Sequence, residues 1–245
     1  MRALPHFLYN TMCFYSPKRT AGKYIKKREG VEMYFNVKKG LDQLFLSQIL
    51  EIVVAVCSLI VGVFAVLTVA AAFLGSGALT AILGVLTVLA TIGLIGGSIA
   101  AFVLGLLGIL NAKKDELSYN NALVWLCVGI VASLLTSAIG NASGFFWGLV
   151  KALLGAVDGF SNFMVMYSVI NATVTVAQAI GNIEIVNLGT QRANSFKTLY
   201  IVAIILVFVG FIPVIGGILA LVGIIIELVI FFQYLGFLSK AKMMV

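Results

Sequence analysis

The residue with most chemical potential in this chain is Glu227, set inside the run Ile224-Ile225-Ile226-Glu227-Leu228-Val229-Ile230. An acidic group at bilayer depth costs about 2.5–3.5 kcal/mol to insert, so it is expected to be neutral or paired. Two roles fit: a carboxylate that carries a proton or coordinates a cation, or a side chain hydrogen-bonded to a neighbouring helix. Ser168, Asn171, Thr175, Gln178 and Asn182 offer a partner. They recur at spacings of 3, 4, 3 and 4 and so share one helix face. Lipid rejects such a face. It reads as a solute or ion path, as hydrogen-bonding glue between helices at about 0.6 kcal/mol per contact, or as the mark of a helix lying at the interface.

Gly93, Gly97, Ala101 and Gly105 form a small-residue ladder at four-residue spacing, which lets another backbone approach closely. Packing within the chain is the expected use, ahead of a dimer seam. Glu51, three residues after Gln48, reads as a solvated or headgroup-contacting carboxylate. Lys151 and Asp158 are seven residues apart and follow Phe145, Phe146 and Trp147, which reads as an outer interfacial segment. Lys113-Lys114-Asp115-Glu116 reads as a solvated loop.

Other chemistry finds little footing. The single histidine, His6, lies far from any cysteine cluster, and Cys13, Cys57 and Cys127 have neither disulfide nor metal spacing. The sequence contains no phosphate loop, zinc-protease helix or nucleophile–base motif. The expectation is a non-enzymatic protein without cofactor or metal.

The elements that must hold these residues follow from composition. The chain has 245 residues, of which 62% are hydrophobic and 10% charged, against roughly 25% charged in soluble domains. Several apolar runs exceed the ~18 residues that mark a membrane span. They do not alternate apolar and polar as barrel strands do. The fold class is therefore an all-α polytopic transmembrane bundle. The net charge of +7 is concentrated in the basic start of the chain. It points to an anionic inner leaflet rather than to nucleic acid.

The segments predict six crossings, at about 44–74, 79–111, 120–140, 163–183, 197–213 and 216–238, with 141–162 as the outer interfacial segment. Gly75-Ser76-Gly77 is a turn signal, and Pro213 to Gly217 forms the last turn. Residues 1–43 are a basic cytoplasmic tail and 239–245 a second, short one. With both termini cytoplasmic, every Lys and Arg except Lys151 faces the cytoplasm, in agreement with the positive-inside rule. A turn at Gly93 to Gly97 would give a seventh crossing and place Lys113 and Lys114 outside. The run Lys27-Arg28-Glu29-Gly30 is codable as a ribosome-binding pattern just upstream of Met33. This makes Met33 a candidate natural start, residues 1–32 a candidate artefact, and the source a bacterium.

Function follows only coarsely. The leading expectation is a cell-membrane protein acting by helix packing or by partnering other membrane proteins, or a second copy of itself. The alternative is a small proton- or ion-linked transporter using Glu227 and the 168–182 stripe. Convergence of Glu227 and the stripe on a water-filled cavity would favour the latter.

Overall fold

Lys38 and Lys39 and the Lys113-Lys114 end of the second apolar run lie at the same end, because the first two helices lie side by side in opposite directions. The computed structural model describes residues 34–140, 144–209 and 216–244. Helix α1 (Phe35–Phe73) and helix α2 (Gly77–Asp115) have 39 residues each. At about 1.5 Å per residue each is ~58 Å long, nearly twice the ~30 Å of a hydrocarbon core. Gly75 makes the turn between them at φ +71°, a conformation that costs glycine nothing. A short 3-10 turn (Leu117–Tyr119) leads into α3 (Asn120–Ile139), α4 (Phe145–Ile180), α5 (Ile183–Val209) and α6 (Gly216–Ala241). Among the described residues there is no strand. Among the described residues five helices, α1 to α4 and α6, are long and apolar enough to cross a membrane, as expected of a membrane protein.

The helices depart from the sequence-based segments in three places. Helix α1 starts at Phe35, so Lys38, Lys39 and Asp42 belong to a helix rather than to a tail. Residues 145–162 and 163–180 form one helix, α4, instead of an interfacial segment followed by a crossing. Lys151 and Asp158 had marked a break there, yet both find partners on α3 and on Gly140 at its end. Lys151 Nζ donates to Gly140 O at 2.6 Å, and Asp158 Oδ1 accepts from Ser133 Oγ at 3.0 Å. The polar stretch 184–197 is the first half of α5, with Asn182 Oδ1 accepting from Ile185 N at its start. Helix α2 runs unbroken through Gly93 to Gly97, so no turn forms there. His6, Cys13, Met33 with the proposed start codon, and the Pro213 turn lie outside the described residues.

Successive helices alternate in direction. Gly40 faces Gly108 and Ala112, Ser47 faces Ala101, and Val54 faces Gly97. Trp125 stacks edge-on to Phe160, and Ser133 reaches Asp158. Phe163 stacks on Tyr200, while Gly189 faces both Val174 and Phe237. Lys242 lies over the Phe45 ring at 3.8 Å and ties α6 back to α1. The start of α1, end of α2, start of α3, end of α4, start of α5 and end of α6 therefore share one end, the proximal end. The core sits there, built on Val37, Leu41, Ile109, Ile170, Phe196 and Phe237.

Away from that end, large apolar side chains are exposed. On α1 they run from Val53 to Leu74, on α3 from Val124 to Leu135 and on α4 from Phe146 to Val157. On α6 they run from Val222 to Phe232. No part of the most apolar stretch of α1 or α2 is buried inside the chain. On α4 the exposed large apolar side chains lie at 146–157, within the segment that the sequence had set outside, while much of 163–180 is buried.

The α1–α2 contact depends on missing side chains. A Cβ on Gly40 would lie 2.5 Å from Gly108 O, and one on Gly108 would lie 2.8 Å from Gly40 O. Ser47 Oγ donates to Ala101 O at 2.8 Å, and a Cβ on Gly105 would meet that hydroxyl at 3.1 Å. Gly97 meets Val54, while Gly93 has nothing within 4 Å. Of the four ladder residues, Gly97, Ala101 and Gly105 therefore line the contact and Gly93 does not. Gly40, Ser47, Gly108 and Ala112 extend it. Gly108→Val should force the backbones apart and cost about 1–3 kcal/mol, the range for overpacking. The check is thermal unfolding in detergent, with Gly93→Ala close to the unmodified protein. Equal midpoints for the two variants would contradict this account of the seam.

Candidate functional site

Three polar arrangements stand out, and each is set by which helices meet. The first is a clasp at the proximal end. Asp115 ends α2, where a negative charge opposes that helix's own dipole, but it lies against the start of α1, where the dipole favours it. Its Oδ2 accepts from Asn36 N at 2.8 Å and Val37 N at 3.1 Å, and Oδ1 accepts from Asn36 Nδ2 at 2.8 Å. One carboxylate thus serves amides that have no partner within α1. Alongside, Asn111 Nδ2 donates to Gln43 Oε1 at 2.8 Å. Glu116 accepts from Ser118 N at 3.1 Å and caps the 3-10 turn. Residues 113–115 are thus the last turn of α2, not the solvated loop expected from sequence, and Asp115 and Glu116 act as caps.

The Tyr34 phenol beside the clasp is pushed above its usual range, chiefly by burial and then by the charges of Glu116 and Asp115. The folded state holds it neutral more firmly than the unfolded chain does. Its contribution to stability is therefore complete below about pH 10 and is lost as pH rises through the folded value. Tyr34→Phe should remove that part of the alkaline loss of stability.

The second arrangement is a polar junction where the hairpins meet. Tyr119, fully buried, hydrogen-bonds Thr173 Oγ1 at 2.8 Å, and Thr173 Oγ1 donates in turn to Val169 O at 2.8 Å. Tyr234 of α6 is buried as well. Gln48 is buried beside Glu51, and its Oε1 has no partner among the described residues. Glu227 is seven residues before Tyr234 and so on the same side of α6. It is exposed between exposed Ile225 and Leu228, inside the apolar belt.

The third arrangement is the 168–182 stripe, and it does not meet Glu227. Ser168 is buried, Asn182 is half-buried at the start of α5, and Asn171, Thr175 and Gln178 are exposed. The face of α4 turned into the bundle is Val169, Ile170, Thr173, Val176 and Ala177. Val174 and Phe237 both meet Gly189, which puts them at one level. Glu227 is ten residues before Phe237, about 15 Å further into the belt. Among the described residues no hydrogen bond joins Glu227 to any member of the stripe. No group of three or more His, Cys, Asp or Glu suited to a metal occurs among them either.

Comparison with family models, curated proteins and solved structures finds no match for this chain.

Tyr119, Thr173, Tyr234 and Asp115 were not singled out from sequence. Thr173 lies in the same helix as the stripe but points the other way, and no local pattern marks a tyrosine or aspartate that serves a distant helix. Asp115→Ala should cost about 0.5–2 kcal/mol, as loss of a helix cap does. It should also speed hydrogen exchange at the amides of Asn36 and Val37. Unchanged exchange there would remove the cap from the account. Tyr119→Phe should cost about 0.5–1.5 kcal/mol for the buried hydrogen bond, measured by the same thermal unfolding. A Tm equal to that of the unmodified protein would contradict it.

Proposed function

We propose that this chain is a multi-pass membrane protein without enzymatic activity, acting through helix packing and through association with membrane-embedded partners. The observation that carries this reading is the belt: in the most apolar stretches of α1 and α2 no residue is buried inside the chain, and the sides turned away from their shared seam are exposed. Such surface is stable only against lipid or against other membrane helices.

In this reading all six helices cross. The apolar part of α5, from Leu199 towards Val209, supplies the crossing opposite α6. The proximal end faces the cytoplasm. Among the described residues, every Lys and Arg except Lys151 and Lys197 belongs to the proximal half of its helix or to the connection beside it, and Lys197 is one residue past the middle of α5, which agrees with the positive-inside rule. Helices α1, α2 and α4 are too long for one hydrocarbon layer, so their proximal halves project into the cytoplasmic interface. There the exposed stripe of α4 is solvated or paired. Transport through Glu227 and the stripe gains no support, since the two are separated in depth and no polar contact joins them among the described residues.

Reporter fusions at Gly75-Ser76-Gly77 and at residues 113–116 test the topology. The first is expected to report outside and the second the cytoplasm. A result with both turns on one side would overturn it. Alkaline carbonate washing of membranes is expected to leave the protein in the pellet, and release to the supernatant would overturn membrane integration.

A further inference from the structure

We propose that the opening between α1 and α6 in the apolar belt is a binding site for a lipophilic cation, with Glu227 as the counter-charge. Such binding goes beyond the partnering reading and is independent of it. Helices α1 and α6 run in opposite directions and touch at the proximal end, where Lys242 lies over the Phe45 ring at 3.8 Å. From there they part. On the side of α1 that carries Phe45, Ile49 and Ile52 are half-buried, whereas Val56, Leu59 and Val63 are 51%, 73% and 57% exposed. On the side of α6 that carries Lys242, Leu238 is buried, Leu235 and Phe231 are half-buried, and Leu228 and Ile224 are exposed. The two series open at about the same depth.

Glu227 stands where the opening begins. It is 15 residues before Lys242, as Ile60 is 15 residues after Phe45. It is therefore level with Ile60, about 22 Å from the closed end. At about 100° per residue, its direction around α6 falls between those of Phe237, which meets Gly189 of α5, and Lys242, which meets α1. Tyr234 and Leu238 share that direction and are buried. Glu227 is thus turned towards the bundle, and it is exposed where α1 has parted from α6. Among the described residues it has neither an ion-pair nor a hydrogen-bond partner.

Three features select the occupant. The opening is walled by apolar side chains within the belt, so it admits what dissolves in lipid. An acid at that depth calls for a positive charge, and a hydrocarbon chain would leave it unmatched. The opening is also a wedge. A further helix is about 10–12 Å across, and Glu227 lies one turn past half-buried Phe231, too near the closed end for a helix to enter. A compact cationic group on an apolar body meets all three conditions. Phe231 and Tyr234 add aromatic rings at the closed end, and aromatic faces attract cations.

The test uses the full chain purified in detergent, with tetraphenylphosphonium as the probe and equilibrium dialysis as the readout. Saturable binding of one cation per chain is expected. Glu227→Gln, at an exposed position, is expected to weaken it by about tenfold or more with the Tm unchanged. Leu59→Trp narrows the opening, keeps the acid, and is expected to weaken binding as well. Leu134→Trp, exposed on α3 and away from the opening, is expected to bind as the unmodified protein does. Tetraphenylborate, an anion of the same shape measured separately, is expected to show no saturable binding. Non-saturable uptake of the cation, equal affinity in Glu227→Gln, or saturable binding of the borate each overturns the proposal. A phospholipid or second polypeptide that co-purifies, is lost in Leu59→Trp and is not displaced by tetraphenylphosphonium also overturns it. The partnering reading stands or falls by its own tests in every case.

Discussion

An apolar belt that the chain does not cover for itself is the constraint on which the rest of this structure depends. Burying one large aliphatic side chain stabilises a protein by about 1.5–3 kcal/mol relative to leaving it in water. Net stabilities are only about 5–15 kcal/mol. The exposed Val, Leu, Ile and Phe of α1, α2, α3 and α6 represent many times that margin. The fold is therefore viable in an apolar solvent and not in water. This is also why its own core is small and confined to the proximal end. Where lipid does the solvating, burial inside the chain gives little further gain, and helices associate through close packing and polar contacts instead.

The helix contacts follow that logic. The α1–α2 seam uses Gly40, Ser47, Ala101, Gly105 and Gly108 to bring two backbones together. Gly189 does the same for α4, α5 and α6: a Cβ there would strike Val174 and meet Phe237 at 3.1 Å. Polar groups lock the ends, with Asp115 on the first turn of α1, Tyr119 on Thr173 and Lys242 over Phe45. Among the described residues of the belt, Asp158 is tied to Ser133, while Glu227 is exposed.

Much of the fold was legible because long apolar runs have few solutions in lipid. The helical class, the Gly75 turn and the small residues of α2 all follow from residue type and spacing. The boundaries were less legible, for physical reasons. Hydropathy registers what lipid accepts, whereas helix continues wherever backbone hydrogen bonds and neighbours allow, so 35–43 and 184–197 are helical despite their polarity. Lys151 and Asp158 read as a break because their partners, Gly140 O and Ser133 Oγ, come from elsewhere in the chain. The five stripe residues do share a helical spacing, but spacing alone cannot say which side of α4 its neighbours occupy. The structure gives the inward side to Val169, Thr173 and Val176. Asp115 was readable as charged and loop-like, while its service to α1 depends on two segments that are 79 residues apart.

The central claim is that the belt, including the first half of α4, lies in lipid while the proximal end does not. Nitroxide labels at Leu153 and Glu184, with collision rates measured against oxygen and against a water-soluble nickel chelate, test it most directly. Oxygen should dominate relaxation at Leu153, and the nickel chelate should dominate at Glu184. A label at Leu153 that is as open to nickel as the one at Glu184 would take α4's first half out of the membrane and contradict the account.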